Sequence, residues 1–337
     1  MTQTHPATPE ITSENAPAPK LAHDIRLIAL DIDGTLLNSR HEMSERTRKA
    51  IKAAIDKGVQ IIIATGKTRN AVKYVHDQLG VPLMGIFLQG LATHSADGAV
   101  MYQQTLDAQI ARQIVTYADD RGFTVIAYHG ERLMMRAFHK DAEEATTQYH
   151  EPLPEVVGPL QNMLGTVPIN KLLIVGDPRA ITALRWQLNV QHGGSIRLMQ
   201  AGLANMLEVL PPGSSKGAAL KTLLRDLKIA PEHVMAMGDA ENDIEMIKLA
   251  GVGIAMGHAA QKVKDAARYI AKTHDEDGVA EMVERYVLGI DPDAPMPTVA
   301  SAPGAESSEK PVIILETPAA ETPSGEPATD SAPKGDA

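Results

Sequence analysis

Short apolar runs alternate with segments of helical periodicity between residues 25 and 290. Each run ends at a polar residue or a glycine, which is typical of a buried strand. Strands are predicted at 26–30, 59–64, 233–237, 252–256 and 269–271. Short strands separated by helices predict an α/β fold with a doubly wound parallel sheet, a Rossmann-like core.

Capping residues mark the ends of the helices in this core. Ser44 is the predicted N-cap of a helix whose alanines and isoleucines at 50–55 share one face, and Gly58 is its predicted stop. Ser214 or Ser215 is the predicted N-cap of a later helix with leucines at helical spacing. Each helix would therefore cover the sheet with an apolar face.

The alternation is interrupted between residues 89 and 209, a stretch too long to be a loop in a compact domain. It contains its own predicted strands at 124–128, 171–175 and 195–199, and predicted helices at 108–118 and 180–188. The sequence therefore predicts a core made of residues 25–88 and 210–290, with an inserted α/β cap domain at 89–209 over one end of the sheet.

Composition separates both ends of the chain from the rest. Residues 291–337 hold nine prolines and a net charge of −7, so we expect a disordered, acidic, Pro-rich tail there. Residues 1–24, at −2, predict a flexible arm. The total charge of −10 leaves residues 25–290 near neutrality, which does not indicate a nucleic-acid partner.

Other function classes are also excluded by what the sequence does not contain. No apolar run approaches the length of a membrane span, and the first residues do not follow the secretory pattern. We therefore expect a cytoplasmic protein with no membrane partner. The absence of cysteine excludes thiolate catalysis and sulfur-ligated metals.

Two carboxylates lie directly after the first predicted strand. Asp31 and Asp33 are two residues apart, so their side chains can point the same way at the strand end, where α/β sheets bind ligands. One can act as nucleophile or metal ligand and the other as proton donor and acceptor. Gly34 allows a tight turn beneath a ligand, and Thr35 offers a hydroxyl. Alone, the pattern is equally compatible with a solvated acidic turn.

Three further features fall where neighbouring strands end or helices begin. Thr65 and Gly66 offer a hydroxyl and a free N–H, and Lys216 places a positive charge at a helix N-terminus; both suit an anion. Asp239 opens an acidic strand-to-helix turn. In isolation these are a common strand end, a solvated lysine and an acidic helix cap. Together, the clustered carboxylates imply a cation, and oxygen ligands favour Mg²⁺.

Four motifs carry a resemblance to a known family. The order D-I-D-G-T-L-L-N, A-T-G-K, P-P-G-S-S-K-G and M-G-D-A-E-N-D-I-E-M resembles the haloacid dehalogenase superfamily. The chain looks most like the Cof-type phosphatases, which have a large α/β cap between the second and third motifs. The resemblance covers residues 25–288 and implies a phosphoric monoester hydrolase.

The resemblance also implies a role for each matching residue. Asp31 would attack phosphorus, and Asp33 would protonate the leaving oxygen and then activate water. Mg²⁺ would be held by Asp31, the backbone carbonyl of Asp33, and Asp239. The implied phosphate-binding residues are Gly34, Thr65, Gly66 and Lys216, and the supporting residues are Asn242 and Asp243.

Three positions differ from the usual residues of this branch of the family. Lys67 stands where arginine is common, Gln89 lies in a segment that is often Ser-Asn-Gly, and His258 lies where Gly-Asn-Ala is common. All three are expected near the cleft between cap and core, so they concern the substrate rather than the chemistry. Gln89 and Lys171 are candidate substrate contacts.

The sequence favours a Mg²⁺-dependent phosphatase that acts on a small phosphorylated metabolite, such as a sugar phosphate or a cofactor-pathway phosphate. Two alternatives stay open at this point. A phosphomutase or phosphotransferase would pass the phosphoryl group to a sugar hydroxyl, and a non-catalytic sensor would only bind a phosphate ligand. No protein partner of the C-terminal tail can be identified from the sequence.

Overall fold

The computed structural model describes residues 24–200 and 203–290. Its strands are β1 Leu27–Leu30, β2 Gln60–Ala64, β3 Met84–Phe87, β4 Ala92–His94, β5 Val100–Gln103, β6 Thr124–His129, β7 Arg132–Met135, β8 Glu155–Val156, β9 Lys171–Val175, β10 Arg197–Gln200, β11 Met206–Leu210, β12 Val234–Gly238, β13 Val252–Ala255 and β14 Tyr269–Ile270. Its α-helices are α1 Glu45–Asp56, α2 Lys73–Leu79, α3 Ala108–Asp119, α4 Lys140–Gln148, α5 Pro178–His192, α6 Lys216–Leu227, α7 Ile244–Leu249, α8 Gln261–Lys264 and α9 Gly278–Val283.

The first sheet has the strand order β14-β13-β12-β1-β2-β3-β4-β5. Its strands are parallel from β14 to β3, and β4 and β5 follow as antiparallel neighbours. The predicted α/β fold with a parallel-sheet core is therefore confirmed. The sheet continues to Gln103, past residue 88 where we expected the insertion to begin. All four residues of β5 are exposed, so this strand has no buried pattern in the sequence.

Helices cover both faces of the first sheet. Leu27 and Ala29 of β1 pack with the leucines of α6, whereas Ile28 and Leu30 pack with apolar residues of α1, α2 and α9. A strand that is buried on both faces reads as a continuous apolar run, as β1 does. As predicted, Ser44 caps α1, because its hydroxyl accepts a hydrogen bond of 3.0 Å from the backbone of Thr47.

The second sheet has the strand order β10-β11-β9-β6-β7-β8 and is antiparallel except for the pair of β7 and β8. Helices α3 and α5 pack on one of its faces. From the other face, Tyr128, Leu173 and Met206 join the apolar cluster that contains Ile28 and Leu30. The division of the chain into core and cap stays a prediction.

About half of these strands and α-helices were predicted from the sequence. The predicted helix at 180–188 is longer, because Asp177 caps it at Pro178 and it continues to His192. The elements that were not predicted are β3, β4, β5, β7, β8, β11, α2, α4, α7, α8 and α9. The expected tail at 291–337 and residues 1–23 of the expected arm lie outside the described residues. Within the described residues, no helix combines the length and apolar character that crossing a membrane needs. The cytoplasmic location stays a prediction.

Candidate active site

The ends of three neighbouring parallel strands bring the predicted motif residues together. Asp31 follows β1, Thr65 and Gly66 follow β2, and Asp239 follows β12, and β1 lies between the other two strands. Because carboxyl ends of parallel strands meet at one edge of the sheet, these residues converge although they are far apart in the sequence. Asp31 and Thr65 are both buried.

Lys216 lies at the centre of this site. It is the first residue of α6, and its side chain is 1% exposed. Its Nζ lies 2.5 Å from Asp31 Oδ1 and 2.7 Å from Asp243 Oδ1. Burial alone would lower the pKa of Lys216, but the carboxylates of Asp243 and Asp31 outweigh that effect and raise it. The lysine is therefore held as a cation between two acids.

Three carboxylates crowd together around this one lysine. Oxygen atoms of Asp31, Asp239 and Asp243 all lie within 4.8 Å of one another. At that distance, two ionised carboxylates repel by about 3 to 4 kcal/mol at an effective dielectric of about 20. Burial and then Asp243 raise the pKa of Asp31 well above its ordinary value, and the same causes raise the pKa of Asp239 to about 6. The cluster has more negative charge than Lys216 can balance.

This donor set fits a divalent cation. Carboxylate oxygens are the ligands that Mg²⁺ prefers, and a cation would offset the excess negative charge. The backbone also leaves room there, since Gly34 has a φ of +80° and a Cβ at its position would lie 2.6 Å from Asp239 Oδ2. Thr35 Oγ1 donates to Asp239 Oδ1 at 3.3 Å and orients that carboxylate. The identity of the metal stays a prediction.

Asp33 has a partner that the sequence analysis did not assign to it. The Nζ of Lys67 lies 2.8 Å from Asp33 Oδ1, and the Lys67 side chain is only 6% exposed. We expected Lys67 to concern the substrate, but its direct contact is with the predicted acid and base. His41 Nδ1 lies 3.7 Å from the same carboxylate oxygen. A buried lysine needs a carboxylate partner, but the burial of Lys67 is visible only in the structure, so no signal in the sequence identifies this pair.

Gln89 and Lys171 belong to one buried polar network. Lys171 forms an ion pair with Glu208, and its Nζ also donates to the carbonyl of Gly66 at 3.1 Å. Gln89 Nε2 donates to Glu208 Oε2 at 3.1 Å, and Gln89 Oε1 accepts from Asn242 Nδ2 at 3.0 Å. The network therefore connects the second sheet, through β9 and β11, to three loops at the edge of the first sheet.

Glu208 could have been found in the sequence. It is the one charged residue in the run M-L-E-V-L, and Lys171 opens the run K-L-L-I-V. Opposite charges inside two buried strands predict a pair, because an isolated buried charge is costly. Asn242 and Asp243 were both expected as supporting residues. Asp243 contacts Lys216, whereas the amide of Asn242 donates to Gln89.

A cavity of about 750 Å³ opens between the two sheets above these residues. Its floor includes Asp31, Asp33, Thr65 and Gly66, and Lys171 and Gln89 lie on its walls. The rest of the lining mixes apolar residues, among them Leu173, Met199 and Met206, with charged ones, among them Arg185, Arg197 and Glu151. Small-molecule sites have this size and this mixture of apolar and polar groups.

His258 lies beside the acidic cluster and does not line the cavity. Its Nε2 is 3.7 Å from Asp239 Oδ2, and its ring centroid is 4.1 Å from that of His274. Burial and then His274 lower the pKa of His258. The structure therefore brings the predicted site residues to one edge of the sheet, with Lys171 and Gln89 above them and His258 at the side. The chemical roles of all these residues stay predictions.

Two relatives show what this chain is similar to. The 5-amino-6-(5-phospho-D-ribitylamino)uracil phosphatase YcsE of Bacillus subtilis (strain 168) is 30% identical over 285 residues, which cover 79% of this chain and 97% of that protein. A protein of Arabidopsis thaliana named "Endoribonuclease YBEY, chloroplastic" is 33% identical over 271 residues. That match covers 77% of this chain but only 46% of the Arabidopsis protein, so this chain spans less than half of its length.

The fold has a close match among solved structures. A haloacid dehalogenase-like hydrolase from Bacteroides thetaiotaomicron superposes with a TM-score of 0.72 at 29% identity, covering 77% of this chain and 99% of that one. Fold, site and relatives together define a phosphoric monoester hydrolase of the α/β class. The chain belongs to the haloacid dehalogenase-like hydrolase family, whose model matches residues 28–283. The predicted family and enzyme class are confirmed.

Proposed function

We propose that this protein is a Mg²⁺-dependent phosphatase that hydrolyses a small phosphorylated metabolite through an aspartyl-phosphate intermediate. The observation that carries the proposal is the position of Asp31. Its carboxylate lies at the end of β1, bonded to the buried Lys216, at the floor of a cavity of about 750 Å³. A nucleophile at this position would face a phosphate group bound in the cavity, and the Lys216 cation would offset the negative charge of the nucleophile and of the phosphate.

The proposed reaction has two steps. In the first, an oxygen of Asp31 forms a bond to phosphorus, the bond from phosphorus to the leaving oxygen breaks, and Asp33 gives its proton to that oxygen. In the second, Asp33 takes a proton from water, the water oxygen forms a bond to phosphorus, and the aspartyl bond breaks to release inorganic phosphate. Proton transfer of this kind contributes about 10² to 10⁴ in rate.

Several contacts of the chain support this assignment. Thr65 and Gly66 lie at the neighbouring strand end, where a hydroxyl and a backbone N–H can bind phosphate oxygens. Lys216 would neutralise charge on the transferring group. Mg²⁺, held by Asp31, Asp239 and the backbone carbonyl of Asp33, would supply further charge neutralisation when bound. Asp243 stays paired with Lys216 and holds it in place.

The cavity supports a small substrate. It is closed on one side by the second sheet, whose residues Tyr128, Leu173 and Lys171 line it. A volume of about 750 Å³ leaves room for a sugar or a heterocycle beyond the phosphate but none for a folded protein. The similar phosphatase of B. subtilis is named for a phosphorylated ribityl compound, which is consistent with a metabolite substrate.

A screen against phosphorylated metabolites with Mg²⁺ tests the proposal. Purified protein should release inorganic phosphate from at least one ester and from p-nitrophenyl phosphate, without a sugar acceptor. The Asp31→Asn variant should lose nearly all turnover. Asp226→Asn, which changes an exposed aspartate of α6, is the matched control and should keep it. If Asp31→Asn retains wild-type turnover, the assignment of the nucleophile is wrong. Consumption of the ester only when a sugar acceptor is present, with a phosphorylated acceptor formed and no inorganic phosphate released, would identify a transferase.

The intermediate has its own test. Wild-type enzyme mixed with a radiolabelled ester and quenched in acid should carry label on protein, and hydroxylamine should remove it, because acyl phosphates react with that nucleophile. The Asp33→Asn variant should accumulate more label than the wild type, since its second step lacks the base. Absence of label in both proteins would contradict a covalent step.

A further inference from the structure

Two carboxylates from the second-sheet part of the chain bind the backbone that precedes α2. Glu151 Oε1 accepts a hydrogen bond of 2.9 Å from the N–H of Thr68, and its Oε2 accepts one of 2.6 Å from the Thr68 hydroxyl. Glu131, in the turn between β6 and β7, accepts from the N–H groups of Arg69 at 3.2 Å and Asn70 at 2.7 Å. Three consecutive backbone donors are therefore held by side chains from across the cleft.

These donors would otherwise have no partner within their own helix. A 3-10 turn at Asn70–Val72 runs directly into α2, and the first N–H groups of a helical segment have no intrahelical acceptor. Carboxylates are favoured at this end of a helix because of its positive dipole. Thr68 itself is fully buried, so loss of Glu151 would leave its N–H and hydroxyl without these partners in the interior.

The residue before Thr68 is Lys67, which holds Asp33. The backbone of Lys67 is also fixed, since its N–H donates to Thr65 Oγ1 at 3.2 Å and its carbonyl accepts from the N–H of Leu88 at 3.0 Å. Its side chain is buried and reaches Asp33 Oδ1 at 2.8 Å. Lys67 and Thr68 share a peptide group, so the contacts of Glu151 add a further restraint to the backbone from which the lysine reaches the Asp33 carboxylate.

On the basis of the proposed phosphatase function, we propose that Glu151 and Glu131 are positioning residues for the proton transfer by Asp33. They fix residues 68–70 from the far side of the cleft, and this keeps Lys67 opposite Asp33 with the carboxyl group aimed at the leaving oxygen. The contact between the two sheets is thereby linked to the step in which the Asp33 proton moves to that oxygen as its bond to phosphorus breaks. Glu151 lines the cavity, but both of its carboxylate oxygens bind Thr68, so we assign it a positioning role.

Two aryl esters separate positioning from mere stability. p-Nitrophenyl phosphate has a weakly basic leaving oxygen and needs little protonation, whereas phenyl phosphate has nearly the same shape and needs more. Glu151→Ala should lower kcat for phenyl phosphate about tenfold more than for p-nitrophenyl phosphate, a part of what a general acid contributes. Glu151→Gln, which keeps the shape and one acceptor, should restore most of that difference. Glu155→Ala changes an exposed glutamate that pairs with Arg132 and should leave both rates unchanged.

Each outcome decides the inference. Equal losses of kcat for both esters, at any size, would show that Glu151 has only a structural role and would overturn it. If Glu151→Ala does not fold, as judged by circular dichroism, Thr68→Val is the second variant. It removes the hydroxyl that donates to Glu151 and accepts from the N–H of Ala71, with little change in shape, and should produce a smaller selective loss. An unchanged ratio of the two rates would again overturn the inference. A wild-type protein inactive on both esters, or an Asp31→Asn variant as active as wild type, would instead refute the proposed function itself.

Discussion

Replacement of Lys171 by methionine should strongly destabilise the protein. Lys171 and Glu208 form a buried ion pair in which the side chains are 4% and 5% exposed. Methionine is similar in length but has no charge, so the Glu208 carboxylate would stay buried with Gln89 Nε2 as its remaining partner among the hydrogen bonds described above. Breaking a buried pair by removing one member costs about 3 to 5 kcal/mol.

The assay is urea denaturation of single and double variants, followed by circular dichroism. Lys171→Met should lower the free energy of unfolding by about 3 to 5 kcal/mol. In the double variant Lys171→Met/Glu208→Gln, the loss should be about 0.5 to 3 kcal/mol smaller than the sum of the two single losses, because the second change removes the unpaired charge. Arg132→Met breaks an exposed pair with Glu155 on the same sheet and should cost at most about 1 kcal/mol.

Two results would refute this reasoning. A loss of less than about 1 kcal/mol for Lys171→Met would mean that the pair behaves like an exposed one. Strict additivity in the double variant would mean that there is no coupling energy between Lys171 and Glu208, and that this part of the network through Gln89 does not stabilise the protein. The second result is independent of any role of Lys171 in substrate binding, since no substrate is present.

Two further predictions follow from the site. Gly34→Ala should raise the Mg²⁺ concentration needed for half-maximal activity, because its Cβ would displace Asp239. The control is Gly58→Ala, at φ +84° with nothing within 4 Å, which has the same backbone strain of about 1 to 2 kcal/mol and should leave that concentration unchanged. If Gly34→Ala and the wild type need the same Mg²⁺ concentration, the metal assignment is contradicted. Burial raises the pKa of Glu151, against a lowering effect of Lys171, so the folded state binds the proton more tightly than the unfolded state. The stability of the wild type relative to Glu151→Gln should therefore fall as pH rises above 4.5. In thermal melts, a melting temperature of the wild type that rises with pH relative to that of Glu151→Gln would contradict this prediction.

Much of the first sheet could be predicted because its strands are buried on both faces. The runs that became β1, β2 and β12 are apolar apart from Gln60 at the start of β2, and each ends at a polar or glycine residue that marks the ligand-binding edge. The edge strand β5 could not be predicted in this way. Val100, Met101 and Tyr102 are exposed there, so the strand shows neither an alternation of buried and exposed residues nor a buried apolar run.

The motif residues of the candidate site could be predicted, but some of the side chains that contact them could not. The motif around Asp31 and Asp33 indicated two carboxylates at one strand end, and Lys216 was expected near a phosphate. The sequence did not reveal that Lys67 binds Asp33, or that Glu151 binds Thr68 across the cleft. These pairs join segments that are 34 and 83 residues apart, and local spacing contains no information about such contacts.

The sequence by itself determined the buried core strands, the capped helices beside them and the chemistry at the strand ends, because hydrophobic period, helix caps and motif spacing act over a few residues. Only the tertiary structure decided that Lys67 meets Asp33 and that Glu151 binds the backbone and hydroxyl of Thr68. Such pairs form where packing removes water from groups that are distant in the chain. Burial then makes each partner necessary to the other, since a charge without a partner in the interior is costly.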